Sequence, residues 1–496
     1  MQNGLINFNY IVHGDRSLRE ASEKYHGPAF EIVLTFFERG LRLRDTRPIY
    51  FMRHLVTFLV FYVSVAAFYW LLRERFGSWK VGLFGAVALV LSPRIFAESF
   101  YNSKDLALLS FFIFSAATFL LFGRRTDTKR ALLHALSCGF LVGIRIVGII
   151  VPCVTLFLIG SRIVHAWRQR SSWRPQLGGL AVYFIFVVAF TILFWPILWE
   201  NPLRHFASAF EEMRKYPWPG SVLYFGRFVP GTELLWHYVP VWIAMTTPVL
   251  YSVLFVLGTG GVLTTLVRRP LEVLQHHPLD LALLGSSAVP VAAVVVLKSV
   301  VYGGWRHLYF IYPALLYFSC HGLVMIWNWT WSLESWECPA RWTTSAIVAA
   351  SLIHTTVLMV HYHPYENIYF NTLSGGTLQQ VKPEFDMDYW GLSCRRALEY
   401  LVAHEGASEI RVHSDRYPGE LNALILPAND RRRICFVGLA EADYFLSHFR
   451  YHPAEFPVED EVFSVKVDGV KICVLRRLHS QIASNRIESI RQPTDQ

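Results

Sequence analysis

Charge is scarce in this chain. Asp, Glu, Lys and Arg make up 17% of its 496 residues and apolar residues 53%, where a soluble globular domain carries roughly 25% charged and 45–50% apolar residues. So apolar a chain cannot be disordered as a whole. Cysteine is scarce as well, and 7 residues exclude a disulfide-stapled secreted scaffold. There is no GxxxxGK[ST] loop and no dinucleotide fingerprint, so the common phosphate-cradling motifs of nucleotide enzymes are missing. The net charge is +9, but no basic tract comes with interleaved aromatics, which excludes nucleic acid as the expected partner. Residues 1–52 contain neither a signal peptide nor a spanning run. Neither half of the chain repeats the other, as the halves of many transporters do.

What the chain has in abundance is membrane-type sequence. Aromatics reach 15%, with 16 Trp, 23 Tyr and 37 Phe, and mean hydropathy is +0.33. A membrane helix needs roughly 20 apolar residues. About ten runs qualify: 54–72, 81–97, 106–122, 131–144, 146–161, 177–198, 239–261, 280–299, 308–327 and 343–361. The basic or His-rich loops 73–80, 123–130, 162–174 and 268–277 alternate with 92–105, 199–238 and 300–307. The first set reads as cytoplasmic and the second as extracytoplasmic. The expected fold is a polytopic α-helical membrane protein of about ten transmembrane helices, with a small C-terminal extracytoplasmic α/β domain. Its divisions are an N-terminal extracytoplasmic or interfacial segment 1–52, a bundle 53–361 with an interfacial loop 199–238, and a C-terminal part 362–496. Short β-type runs at 409–413, 433–437, 444–448, 462–467 and 471–475 support that last part. One feature cuts across this topology. Arg39, Arg42, Arg44, Arg47 and Arg53 crowd the first helix, where the charge bias would hold the segment inside.

Five polar constellations interrupt the apolar pattern. The stretch 92–105 (SPRIFAESFYNSKD) holds Arg94, Glu98, Asn102, Lys104 and Asp105 between two apolar helices. Glu98, Asn102 and Asp105 are spaced by four and three, so on a helix they share one face. Two carboxylates and an amide on one face can bind a cation or accept a proton from a hydroxyl; the bland alternative is a solvated loop with an internal ion pair. Arg145 interrupts an apolar run and must reach a partner, a cavity, a phosphate or the interface. The loop 195–248 is rich in Pro and aromatics, with an amphipathic helix at 202–213; an interfacial belt explains most of its rings. Arg306 and His307 open a helix at an extracytoplasmic end, where cations suit an anionic ligand or simply follow a Gly303-Gly304 turn. Last, His361, His363, Glu366, Asp386 and Asp388 follow the final helix in no metal-binding spacing, and read as a polar cap.

These residues resemble a family. The segments 25–28 (YHGP), 92–105, 195–202 (WPILWENP), 216–220 (YPWPG), 302–307 (YGGWRH) and 363–391 are similar, in order and placement, to the polytopic GT-C glycosyltransferases that use polyprenyl-phosphate sugars. The likeness is to the bacterial branch related to protein O-mannosyltransferases and the aminoarabinose transferase of lipid A. The resemblance implies sugar transfer from a polyprenyl-phosphate donor to an acceptor lipid, glycan or protein. Transfer would occur at the extracytoplasmic face of the inner (plasma) membrane, with no tightly bound cofactor beyond a divalent metal that can assist. Asp105 and Glu98 are then the catalytic candidates. Arg145, Lys104, Arg306 and His307 would hold the donor phosphate, and Asn102, Trp199, Glu200 and Tyr302 would face acceptor or sugar. The family's main acid follows a first transmembrane helix that this chain begins without, and Asp15 is the nearest carboxylate. The expectation is therefore an N-terminally truncated enzyme, or a non-catalytic homologue acting as a membrane subunit. A lipid or solute transporter is the remaining alternative.

Overall fold

The structure is a computed structural model. It describes residues 1–214, 216, 218–456 and 460–478, with Ser335 described by its backbone only. Positions 479–496 of the expected C-terminal part, and 215 and 217 in the interfacial loop, lie outside the described residues.

Two short helices, α1 (Gln2–His13) and α2 (Ala29–Gly40), lead into the long α3 (Thr46–Phe76). Next come α4 (Trp79–Val90), α5 (Pro93–Tyr101), α6 (Asp105–Arg124), α7 (Thr128–Ile144), α8 (Ile150–Arg168) and α9 (Arg174–Phe194). The stretch that follows holds α10 (Pro202–Arg214) and a hairpin of β1 (Ser221–Tyr224) and β2 (Arg227–Pro230). The bundle resumes with α11 (Tyr238–Thr246), α12 (Val249–Arg268), α13 (Pro270–His276), α14 (Pro278–Val296), α15 (Tyr312–Thr330) and α16 (Glu337–Tyr362).

Among the described residues, eight helices are long and apolar enough to cross a membrane, or nine if the bent pair α4–α5 is one span. The sequence count of about ten exceeds this for local reasons. The run 81–97 breaks before Pro93, where α4 and α5 meet at 66°; the run 239–261 also breaks, at Thr247-Pro248, but α12 still qualifies as its span. A residue before proline is pushed out of the helical region, so both breaks are written in the chain. The run 131–144 does form a helix, α7, but with 17 residues; it ends at Arg145, whose backbone is extended (φ −150°, ψ 137°).

Close packing of the bundle relies on small residues. Helices α12 and α15 cross where a Cβ on Gly258 would lie 1.9 Å from the Phe318 carbonyl oxygen, and one on Gly322 2.1 Å from that of Leu254. A buried ion pair pins α3, α14 and α15 at the far end of α3: Arg75 Nη2 lies 2.7 Å from Asp280 Oδ2, and the Tyr317 hydroxyl donates to the same carboxylate.

After α16 come α17 (Leu378–Val381), α18 (Leu392–His404), β3 (Ile410–Ser414), α19 (Tyr417–Ala423), α20 (Ala428–Arg433), β4 (Ile434–Phe436), β5 (Tyr444–Ser447), β6 (Glu461–Val467) and β7 (Val470–Arg477). The five strands form one mixed sheet in the order β4-β3-β5-β7-β6. Strand β3 runs parallel to β4 and β5, while β7 is antiparallel to β5 and β6. All five expected β-type runs are strands within two residues of their expected limits. The β1–β2 hairpin was not among them. Its two-residue turn, Phe225-Gly226, takes positive φ at both positions (49° and 71°), as a type I′ turn requires. Cys394 and Cys473 are buried thiols that adjoin each other across α18 and β7, whereas Cys435 is exposed.

Candidate active site

The site is assembled at the corner between α5 and α6. The Asn102 side chain brackets that corner. Its Oδ1 accepts from the Asp105 amide at 2.9 Å, and its Nδ2 donates to Glu98 Oε2 at 2.6 Å and Asp105 Oδ2 at 2.9 Å. The helical spacing of Glu98, Asn102 and Asp105 does not place them on one continuous face. They converge because the chain bends there, and the amide bridges two carboxylates that would otherwise repel.

Asp105 is 1% exposed and is held between two guanidinium groups. Arg145 Nη2 lies 2.6 Å from its Oδ1, a close ion pair off the hydrogen-bond axis. Arg306 Nη1 donates to its Oδ2 at 3.0 Å. The break between α7 and α8 delivers Arg145 to this point. The Gly303-Gly304 turn delivers Arg306, with φ of +66° and +70°, values that cost a non-glycine residue roughly 1–2 kcal/mol each. A Cβ on Gly303 would also lie 2.8 Å from the Tyr389 ring and 3.0 Å from Arg306 Nε. The Arg306 guanidinium rests among Tyr302, Tyr389 and Trp390, about 5 Å from each ring centre. The Nε atoms of Arg145 and Arg306 are both buried without a hydrogen-bond partner among the described residues.

Beside this cluster lies a cavity of about 490 Å³. Its polar end is lined by Lys104, Arg145, Arg306, His307, His26, Tyr216 and Tyr302. Its other end is apolar, with Ile149 and Ile150 of the α8 region, Phe210 and Met213 of α10, and Val289, Ala293 and Val294 of α14. Val289 and Leu297, which also line it, are exposed. The lining carries the cations Lys104, Arg145, Arg306 and Arg214 and the carboxylates Glu23 and Glu212, with Asp105 paired to Arg145 and Arg306 from behind. Burial, with Arg145 nearby, pulls the Lys104 ammonium down to about 8. His26 is pushed down to about 3 by burial, Lys104 and Arg145, so it is neutral near pH 7. Its Nδ1 lies 3.8 Å from Glu212 Oε1 across the cavity wall. Gly27 lets this loop press on the end of α7, since a Cβ there would lie 2.4 Å from the Gly143 carbonyl oxygen.

The expected site residues fall into three groups. Lys104, Arg145, Arg306, His307 and Tyr302 line the cavity. Asp105, Asn102 and Glu98 stand behind that wall, with Glu98 also accepting from the Tyr309 hydroxyl at 3.1 Å. Trp199 and Glu200 lie elsewhere. The Trp199 indole donates to the Ile192 carbonyl, and Glu200 pairs with Arg19 at 2.7 Å and with Tyr10 at 3.1 Å. The carboxylates that do line the cavity, Glu23 and Glu212, were not singled out in the sequence. Glu212 sits on amphipathic α10, whose pattern announces an interfacial helix but not which of its charges faces inward. In the polar cap, Asp388 accepts from Asn367, from the Leu392 and Ser393 amides and from the Ser393 hydroxyl; it fastens the start of α18. Among the described residues no group of three or more His, Cys, Asp and Glu is placed to hold a metal ion. Both oxygens of Asp105 already face guanidinium groups, so the residues at the site do not fit a divalent cation.

Fold and site together define a multi-pass helical membrane protein with a cavity lined by cationic and apolar side chains. No protein-family profile and no curated protein matches the chain. Among solved structures, it is similar to ArnT from Cupriavidus metallidurans bound to undecaprenyl phosphate, at 14% identity over 95% of this chain and 92% of that chain, with a TM-score of 0.48. It is also similar to the archaeal oligosaccharyltransferase AglB from Archaeoglobus fulgidus in complex with an inhibitory peptide and a dolichol-phosphate. There the identity is 11% over 92% of this chain and 66% of that chain, with a TM-score of 0.49. These are likenesses of outline alone.

Proposed function

We propose that the chain is a membrane glycosyltransferase that takes a sugar from a polyprenyl-phosphate donor. One observation carries this reading: a single cavity brings Lys104, Arg145 and Arg306, the two arginines with unpartnered guanidinium Nε atoms, together with a long apolar lining. A phosphate bearing a long hydrocarbon chain matches both ends. Guanidinium groups suit phosphate because their donors form a rigid fork and never lose charge.

In the proposed reaction a hydroxyl or amine of the acceptor attacks the anomeric carbon. The new bond forms as the bond from that carbon to the phosphate oxygen breaks, and polyprenyl phosphate leaves as an anion. Arg145, Arg306 and Lys104 stabilise the charge that grows on the leaving phosphate. The Tyr302 ring, which lines the cavity and is backed by Trp218 at 4.3 Å, offers a surface beside the cations where a sugar ring can lie. The acceptor proton passes to a carboxylate on the cavity wall, Glu23 or Glu212. Asp105 holds the two guanidiniums apart and in place, and Glu98 stands behind it.

The test is to supply purified protein with a labelled polyprenyl-phosphate sugar and a mixed pool of membrane acceptors. Release of free polyprenyl phosphate by the wild type, lost in Arg145→Gln/Arg306→Gln, supports the reading. Lipid-phosphate binding that persists unchanged in that double variant overturns it. Binding lost in the variant, without turnover in the wild type, favours the non-catalytic subunit.

A further inference from the structure

The arginines ahead of the first long helix take no part in the cavity, yet they sit at the same end of the bundle. Arg53 of α3 bonds Glu31 at 2.8 Å, and Ser103, next to Lys104, donates to Glu31 at 2.5 Å. Arg53 is thereby buried and paired with Glu31 and Glu38. The other arginines are different. Arg39, at the end of α2, and Arg42 and Arg44, in the turn to α3, are exposed. None of the three makes an ion pair among the described residues. The C-terminal domain adds to the same patch. Arg431 of α20 reaches Asp45 at 2.8 Å, and Thr46 donates to the Leu424 carbonyl at 2.7 Å. These bonds bring the neighbouring exposed Arg432 to the turn, also without an ion pair among the described residues.

We propose that this turn, together with α20, seats the anionic headgroups of membrane phospholipids. The height of the patch supports it. Exposed apolar residues on α3 begin at Phe51 and continue through Leu55, Leu59 and Tyr62. Their spacing of three and four makes one lipid-facing stripe. Phe51 therefore marks the edge of the hydrocarbon. Asp45 and Thr46 precede it by five or six residues, which is about 8 Å of helix. A headgroup layer is roughly 5–8 Å deep on each side of a bilayer, so the turn lies at the level of the lipid phosphates. Arg47 bridges the two zones, its guanidinium lying 5.4 Å from the Phe51 ring centre. Exposed Phe36, Phe37 and Leu41 flank the arginines and give the patch an apolar rim that dips toward the interface. The charge-bias rule alone would place such arginines at the other face of the membrane. Their presence at the cavity face has a physical reason if they bind lipid phosphates there.

The test uses purified protein in a neutral detergent, titrated with phosphatidylglycerol or phosphatidylcholine and read by native mass spectrometry. The expected result is preferential retention of phosphatidylglycerol, weakened by raising NaCl from about 0.05 to 0.5 M because the exposed charges are screened. Arg42→Gln/Arg44→Gln/Arg432→Gln should weaken it by roughly 125-fold, since each juxtamembrane arginine contributes about fivefold and the three factors multiply. Phosphatidylcholine binding should not change, and the lysine triple variant should retain most of the preference. The same titration of Arg145→Gln/Arg306→Gln separates this seat from the cavity, because headgroup binding should survive there. Equal retention of the two lipids overturns the proposal. So does wild-type retention of phosphatidylglycerol by the glutamine triple variant, or displacement of the lipid by an equal concentration of inorganic phosphate. If the triple variant does not fold, the salt series on the wild type decides in the same two directions.

Discussion

Asp105→Asn separates two roles for the most buried carboxylate of the site. If Asp105 accepts a proton during transfer, the substitution lowers turnover and leaves stability and donor affinity unchanged. The structure predicts otherwise. Asn keeps the shape and the backbone bond to Asn102 but leaves Arg145 and Arg306 facing each other without a counter-charge. Removing one partner of a buried pair costs roughly 3–5 kcal/mol. The Arg145 side chain is 20% exposed, so the lower end, about 3 kcal/mol, is expected. A bound phosphate would then return part of that loss. If about 2 kcal/mol is regained, polyprenyl phosphate binds the variant about thirtyfold more tightly than the wild type, while transfer falls because the guanidiniums lose their register. Thermal unfolding in detergent, with and without long-chain polyprenyl phosphate, measures both effects. The variant should melt lower than wild type without lipid and show the larger upward shift with it. Unchanged melting together with unchanged lipid affinity would refute the positioning role.

Other outcomes follow from the same geometry. Lys104 loses its proton near pH 8 in the empty cavity, and a bound phosphate would hold that proton on. Donor affinity should therefore be full below pH 8 and fall as pH rises through it. Binding curves for Lys104→Gln should be weaker and lack that step. Asp386 is buried and its carboxyl is raised to about 6, mainly by burial. The folded state binds this proton more tightly than the unfolded chain, so its favourable contribution is complete below pH 4 and lost as pH rises through 6. Asp386→Asn should stabilise the protein at pH 7 by up to about 3 kcal/mol and make no difference at pH 4, as read by melting at both pH values. Asp280→Asn removes the carboxylate that ties Arg75 to Tyr317 and should destabilise by roughly 3–5 kcal/mol. Because it lies at the opposite end of α3 from the cavity, isothermal titration of that variant should show unchanged lipid-phosphate affinity.

The membrane class and the existence of a terminal sheet domain were legible in the chain because hydropathy and β-type alternation are local. The helix count was less so. A pattern search that sums apolarity over a window runs straight across the break before Pro93, and it counts the run that becomes α7, which stops at 17 residues. The polar end of the cavity was legible in part. Lys104, Arg145 and Arg306 stand out because a charge beside an apolar run needs a reason, and each does line the cavity. Trp199 and Glu200 stand out equally in sequence but lie in other contacts. Glu212 and His26 belong to the wall yet look ordinary, one as a charge on an amphipathic helix and the other as a lone histidine.

By itself the sequence determined that the chain enters a membrane, roughly where it turns, and which charges must find partners. Burial of apolar runs is a sum over neighbouring residues, and the cost of a stray arginine in hydrocarbon depends on no other part of the chain. Only the tertiary structure decided which partners those charges take. Residues 105, 145 and 306 are brought together by a helix corner, a helix break and a two-glycine turn. That meeting leaves the acid locked between two cations and the cations turned to an open cavity. No local spacing encodes it, because each of the three arrives from a different part of the bundle.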